Sequence, residues 1–149
     1  MSIIGIGRWE FELPEEWEQQ EQESGVPYFE TQDGTKGCYI KGISFGQPQA
    51  SYEAAAQYLQ QVHERNILAD PKAYWTVVER FGAETANGFL ARLDLLDKTR
   101  AYRVLSVVLA NRSEALQVTL HDYDCQDYEA SLQAFAAIAD SLRCAETDT

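Results

Sequence analysis

Few positions in this chain combine the residue types that chemistry needs. Gly42-Ile43-Ser44-Phe45-Gly46 matches G-x-S-x-G, the pattern in which a strand turns sharply into a helix and exposes a serine above a sheet. Here Gln47-Pro48-Gln49 intervenes and the next helix signal waits until Ser51, so Ser44 reads as a strand serine. The run His121-Asp122-Tyr123-Asp124-Cys125-Gln126-Asp127 concentrates metal-ligand types. It lacks the paired His or Cys spacing that a metal's geometry demands, and a strand end running into a helix cap explains its acids more simply. His63, the other histidine, reads as a packing or solvated residue near a helix end. Gly5-Ile6-Gly7 lacks the third glycine and preceding strand of a dinucleotide fingerprint and reads as an arm. No phosphate-cradling loop, H-E-x-x-H or EF-hand pattern occurs. The expectation is a protein without catalytic residues, metal or cofactor, and not an enzyme.

The charge distribution is more informative. The 149 residues carry 24 acids against 12 bases, a formal charge of −12. Residues 10–30 hold eight acids and no base, and residues 122–149 hold seven acids and one base, whereas the middle of the chain is nearly balanced. A field of that sign repels phosphate backbones and anionic lipid, which argues against nucleic-acid and membrane-surface partners. If the fold joined the two acidic ends, they would form one surface that steers a cationic protein. The expected partner-binding residues are Glu15, Glu16, Trp17, Glu18, Glu21, Glu23, Asp122, Asp124 and Asp127. Three separated cysteines without C-x-x-C, no signal-like N-terminus and no long apolar run point to the cytoplasm.

The elements that must position these groups follow from periodicity. Trp9, Phe11 and Leu13 alternate with Glu10 and Glu12 as in a half-buried strand, which Pro14 ends. Residues 15–25 read as a solvated Glu/Gln loop anchored by Trp17. Residues 28–31 and 36–45 flank Asp33-Gly34, a hairpin signal because glycine tolerates positive φ. Ser51 caps a helix with Tyr52, Ala55, Leu59 and Val62 on its apolar face, fading near Asn66. Strands follow at 74–81, 89–96, 100–109 and 115–121, joined by Asn- and Asp-bearing turns. Asp127 caps a last helix striped by Tyr128, Leu132, Phe135, Ile138 and Leu142, ending near Arg143. The order β-β-β-α-β-β-β-β-α predicts one α+β domain, an antiparallel sheet with both helices packed on one face. Its core spans 9–143, with flexible ends at 1–8 and 144–149.

Trp9-Glu10-Phe11-Glu12-Leu13-Pro14-Glu15-Glu16-Trp17 resembles the strand, LP and W opening of PsbP-like α/β sandwich proteins, particularly the bacterial DcrB-like branch. Ser51-Tyr52-Glu53-Ala54-Ala55-Ala56-Gln57-Tyr58-Leu59 is similar to that group's first helix. Asn87-Gly88 falls where those proteins carry a hairpin glycine, and Ile138-Ala139-Asp140-Ser141-Leu142 resembles their closing helix. The resemblance brings no catalytic residues and implies a binder. Some relatives are cytosolic chaperones of type VI secretion effectors, and similar small acidic proteins are immunity partners of toxins. The expected partner is therefore a bacterial toxin or secreted effector. The favoured reading is an acidic immunity protein and the alternative an effector chaperone, with a homodimer left open.

Overall fold

A computed structural model describes residues 1–145. Its elements are β1 (Ser2–Ile6), β2 (Trp9–Leu13), β3 (Trp17–Gln20), β4 (Tyr28–Thr31), β5 (Lys36–Ser44) and α1 (Tyr52–Leu68). There follow β6 (Thr76–Thr85), β7 (Gly88–Asp97), β8 (Tyr102–Ala110), β9 (Glu114–Asp122), α2 (Tyr128–Asp140) and β10 (Arg143–Cys144). Asn111 Oδ1 accepts from the N–H groups of Ser113 and Glu114 and closes the β8–β9 hairpin. Asp97 Oδ1 likewise accepts from Thr99 and Arg100 between β7 and β8. Gly88 opens β7 at φ +133°, where a Cβ would strike the Ala110 carbonyl, so glycine is required there. Ser51 and Asp127 cap α1 and α2, their side chains accepting from the N–H groups of Ala54 and Ala130.

Seven antiparallel strands form the main sheet in the order β3-β4-β5-β9-β8-β7-β6, and β1-β2-β10 form a second sheet of three. The fold class is α+β, as the patterning predicts. The helices, however, lie on opposite faces rather than together. Leu105, Val107 and Leu109 of β8 join the cluster containing Phe135, Ile138 and Leu142 of the α2 segment and Trp9, Phe11 and Leu13 of β2. The alternate residues Val108 and Ala110 pack with Ala56, Tyr52 and Leu59 of α1. Further along the α1 face, Val104 packs with Leu93, Leu95 and Ile67. The small sheet, built from the two ends of the chain, thus shares one face with α2.

Three segments differ from expectation. The segment predicted to be a flexible arm is β1, paired along β2 from Ser2 opposite Leu13 to Ile6 opposite Trp9. Cys144 pairs with Trp9 in β10 and so belongs to the small sheet, while residues 146–149 of the predicted flexible end lie outside the described residues. The Glu/Gln segment contains edge strand β3, paired with β4 through Trp17 opposite Thr31 and Gln20 opposite Tyr28.

Two polar networks sit within the apolar layers. On the α2 face, the fully buried Arg103 makes a two-pronged contact with Asp94, at 3.0 and 2.9 Å. Ser131 and Tyr128 of α2 complete it, the first accepting from Arg103 and the second donating to Asp94. On the α1 face, Gln60 donates to the carbonyls of Ala91 and Ser106, fixing helix against sheet between two apolar clusters. A polar contact satisfied in only one register specifies how the helix lies.

Candidate protein-binding groove

Where β2 passes into β3, the turn Trp17 N–H to Pro14 carbonyl brings Glu16 and Trp17 against the β4–β5 hairpin. The backbone of Glu16 accepts from Gln32 N–H, so the two loops are held side by side. Opposite them, α2 presents the small side chains of Ala134 and Ala137 beside Ile138. The result is a cavity of about 410 Å³ with Trp17, Pro14, Ala134, Ala137 and Ile138 on its apolar surfaces. Glu12, Glu16, Asp33 and Lys36 stand among its polar lining.

Asp33 is a rigid anion. Its Oδ1 accepts from Thr31 Oγ1 at 2.7 Å, Thr35 N–H at 3.0 Å and Thr35 Oγ1 at 2.8 Å. The Thr35 N–H, then the two hydroxyls, lower its pKa to about 2, because each bond favours the ionised form. Gly34 makes the turn at φ +74°. Glu12 shares Arg143 with Glu10, at 3.0 and 2.7 Å, so part of its charge is offset. Glu16 is exposed. Three carboxylates stand against Lys36 on the rim, beside Met1, so the apolar hollow fits an apolar side chain with a basic neighbour, since burial supplies affinity and charge supplies steering.

The structure distributes the predicted acidic set unevenly. Glu16 and Trp17 line the groove and Glu15 adjoins them, while Glu18 accepts from Gln32 Nε2 at 2.9 Å beside it. Trp17 is 7% exposed and forms a wall of the hollow rather than a free surface anchor. Glu21 and Glu23 fall beyond the far end of β3, away from this end of the sheet. Asp122 is 2% exposed, on the face that α2 covers, so it cannot present charge to a partner. Asp124 N–H donates to it at 3.1 Å, and Asp127 caps α2. Asp122 therefore adds no charge to an anionic surface, while Asp124 and Asp127 stay exposed and Tyr123 N–H donates to the Thr35 carbonyl of the β4–β5 hairpin. Asp33, Lys36, Ala134 and Ala137 escaped the sequence reading. The hairpin dipeptide identified a turn but not what faced it, and two alanines one helical turn apart mark a shallow helix surface only once a neighbour is known.

The other expected positions carry no constellation. Ser44 is the last residue of β5 and a loop separates it from α1, so no strand-to-helix elbow exists. His121 and Asp122 are consecutive strand residues and point to opposite faces. His63 is half-buried and contacts Ser106 and Gln117 through Nδ1, at 2.9 and 2.7 Å.

This architecture, helices on both faces of an antiparallel sheet with a small sheet beside one of them, is a PsbP-like fold. The chain is similar to the solution structure of cyanobacterial PsbP (CyanoP) from Synechocystis sp. PCC 6803. The identity is 13% over 92% of this chain and 86% of that one, with a TM-score of 0.63. It is also similar to a crystal structure from Bacteroides thetaiotaomicron VPI-5482, at 12% identity and TM-score 0.51 over 92% of this chain. There it spans 45% of the other chain's length. No family model matches the sequence, and no curated protein does. Among the described residues no helix is long and apolar enough to cross a membrane.

Proposed function

We propose that this chain is a non-enzymatic protein-binding module of the DcrB-like branch, acting in the cytoplasm as an acidic immunity protein. Its partner is a bacterial toxin or secreted effector, which it binds and masks. The observation that carries this reading is the groove between α2 and the β4–β5 hairpin, apolar within and bearing Glu12, Glu16 and Asp33. The partner's contribution is an apolar side chain with a basic neighbour. Exposed charges steer such a partner from a distance set by ionic strength, so its association slows as salt rises. The second reading, an effector chaperone, is favoured by the apolar walls themselves, which would accept a transmembrane-like segment without any charge.

The test is affinity capture with the intact protein, followed by a salt titration of the bound partner. Release above physiological ionic strength, together with loss of the partner in Glu16→Lys/Asp33→Lys, supports the immunity reading. A partner that holds equally in high salt and presents an apolar segment selects the chaperone. Turnover of a small molecule with no protein partner overturns both.

A further inference from the structure

We propose that a second site, on the opposite face from the groove, binds a small carboxylate that carries an amide N–H beside its carboxyl group. Lys41 meets the carboxylate, and His63 Nε2 accepts the N–H. The site is a hollow of about 210 Å³ between α1 and strands β5 and β9, where Tyr39, Lys41, Gln117, Thr119 and His63 converge under Val26. No carboxylate lines it among the described residues, in a chain whose formal charge is −12.

The hydrogen bonds behind the hollow dictate which nitrogen of His63 faces it. Gln60 Nε2 donates to the carbonyls of Ala91 and Ser106 at 2.9 and 3.0 Å, which fixes that amide. Its Oε1 then lies 3.0 Å from Ser106 Oγ and takes the single hydroxyl proton. Sending that proton elsewhere would leave a buried carbonyl oxygen unpaired, which burial penalises. Ser106 Oγ can therefore only accept from His63 Nδ1, 2.9 Å away, and Nδ1 must carry the imidazole proton. The Gln117 amide approaches the same Nδ1 at 2.7 Å. The contacting atom is Gln117 Nε2, whose NH₂ would oppose an Nδ1–H, so the amide must turn end for end and the single Nδ1–H is shared between Ser106 Oγ and the Gln117 oxygen. The Gln117 NH₂ is then free to turn toward the hollow.

His63 is thus held with Nδ1–H inward and a bare Nε2 outward, and burial, then the charge of Lys41, keeps it neutral by lowering its pKa. One acceptor, one ammonium and an amide donor match an amido carboxylate. The hollow is on the scale of an N-acylated small amino acid or the last residue of a peptide.

Long-range ¹H–¹⁵N correlation spectra of the full chain read the tautomer, and titration reads the site. The expected result is an Nδ1–H His63 whose Nε2 resonance shifts saturably with N-acetylalanine and not with N-acetylalanine amide. Lys41→Gln, at an exposed position, should weaken that binding at least tenfold while leaving the tautomer unchanged. Tighter binding of Gly-Gly-Ala than of N-acetylalanine assigns the ligand to a peptide C-terminus, and equal binding to a free acylated amino acid. A His63 protonated on Nε2, no response to either acid, or an equal response to the amide overturns the proposal.

Discussion

Acid should weaken this fold through His121 well before its carboxylates titrate. His121 lies between Tyr39 at 5.5 Å, Tyr102 at 5.9 Å and Tyr123 stacked at 5.7 Å, as ring centroids. Its Nδ1 is 2.7 Å from the Tyr102 hydroxyl. Burial, then the neighbouring His63, lowers its pKa from 6.5 to about 4. The unfolded chain therefore binds a proton that the folded chain refuses across that interval. Stability is complete above pH 6.5 and falls as pH drops toward 4. At about 1.4 kcal/mol per unit, this one residue contributes a loss of about 2 kcal/mol between pH 7.5 and 5. The assay is urea unfolding followed by tryptophan fluorescence at both pH values, for the parent and His121→Gln. Relief of self-repulsion on acidification acts alike on both proteins, so the difference between them isolates the histidine. An identical pH dependence in the variant would show that His121 does not carry the acid sensitivity.

Removing one partner of the buried pair, as in Asp94→Asn, should cost about 3–5 kcal/mol in urea unfolding, because Arg103 is left charged and enclosed. Phe135→Ala should cost about 3–5 kcal/mol, whereas Leu132→Ala, at a partly exposed position, should cost distinctly less; equal losses would misplace the face of α2. Gly88→Ala should lower the thermal midpoint by several degrees, since its positive φ and the nearby Ala110 carbonyl both oppose a side chain. Ser44→Ala should leave partner binding within error, as measured by the same affinity capture.

The chain's own patterning made most strands and both helices legible, because Asn and Asp turns punctuate the meander and α2 carries a regular apolar stripe. The placement of the helices was also written there, in a form easily overlooked. In β8, Val104, Leu105, Val107, Val108, Leu109 and Ala110 are apolar at both odd and even positions, the mark of a strand covered on both faces, and the structure buries residues 103–110 without alternation. β3 was hidden because only Trp17 of its four residues is buried, and an edge strand held by backbone pairing needs no alternation. β1 was hidden because its pairing with β2 depends on a partner whose register no local pattern announces. The acidic surface failed at Asp122 for a simpler reason: strand parity turns that carboxylate inward, beside Arg103 in register. Glu16 and Trp17 kept their place because their own turn presents them at a surface.

Filling the groove with a bulky side chain shows whether a protein partner sits there. Ala137 is exposed on α2 and lines the groove, so Ala137→Trp should occupy the hollow without disturbing the core. Parent and variant are compared in parallel affinity captures at physiological salt, with unfolding curves to establish that both are folded. The partner recovered with the parent should be lost, or held at least tenfold more weakly, with the variant. Recovery of the same partner in equal yield by a folded Ala137→Trp protein would contradict it.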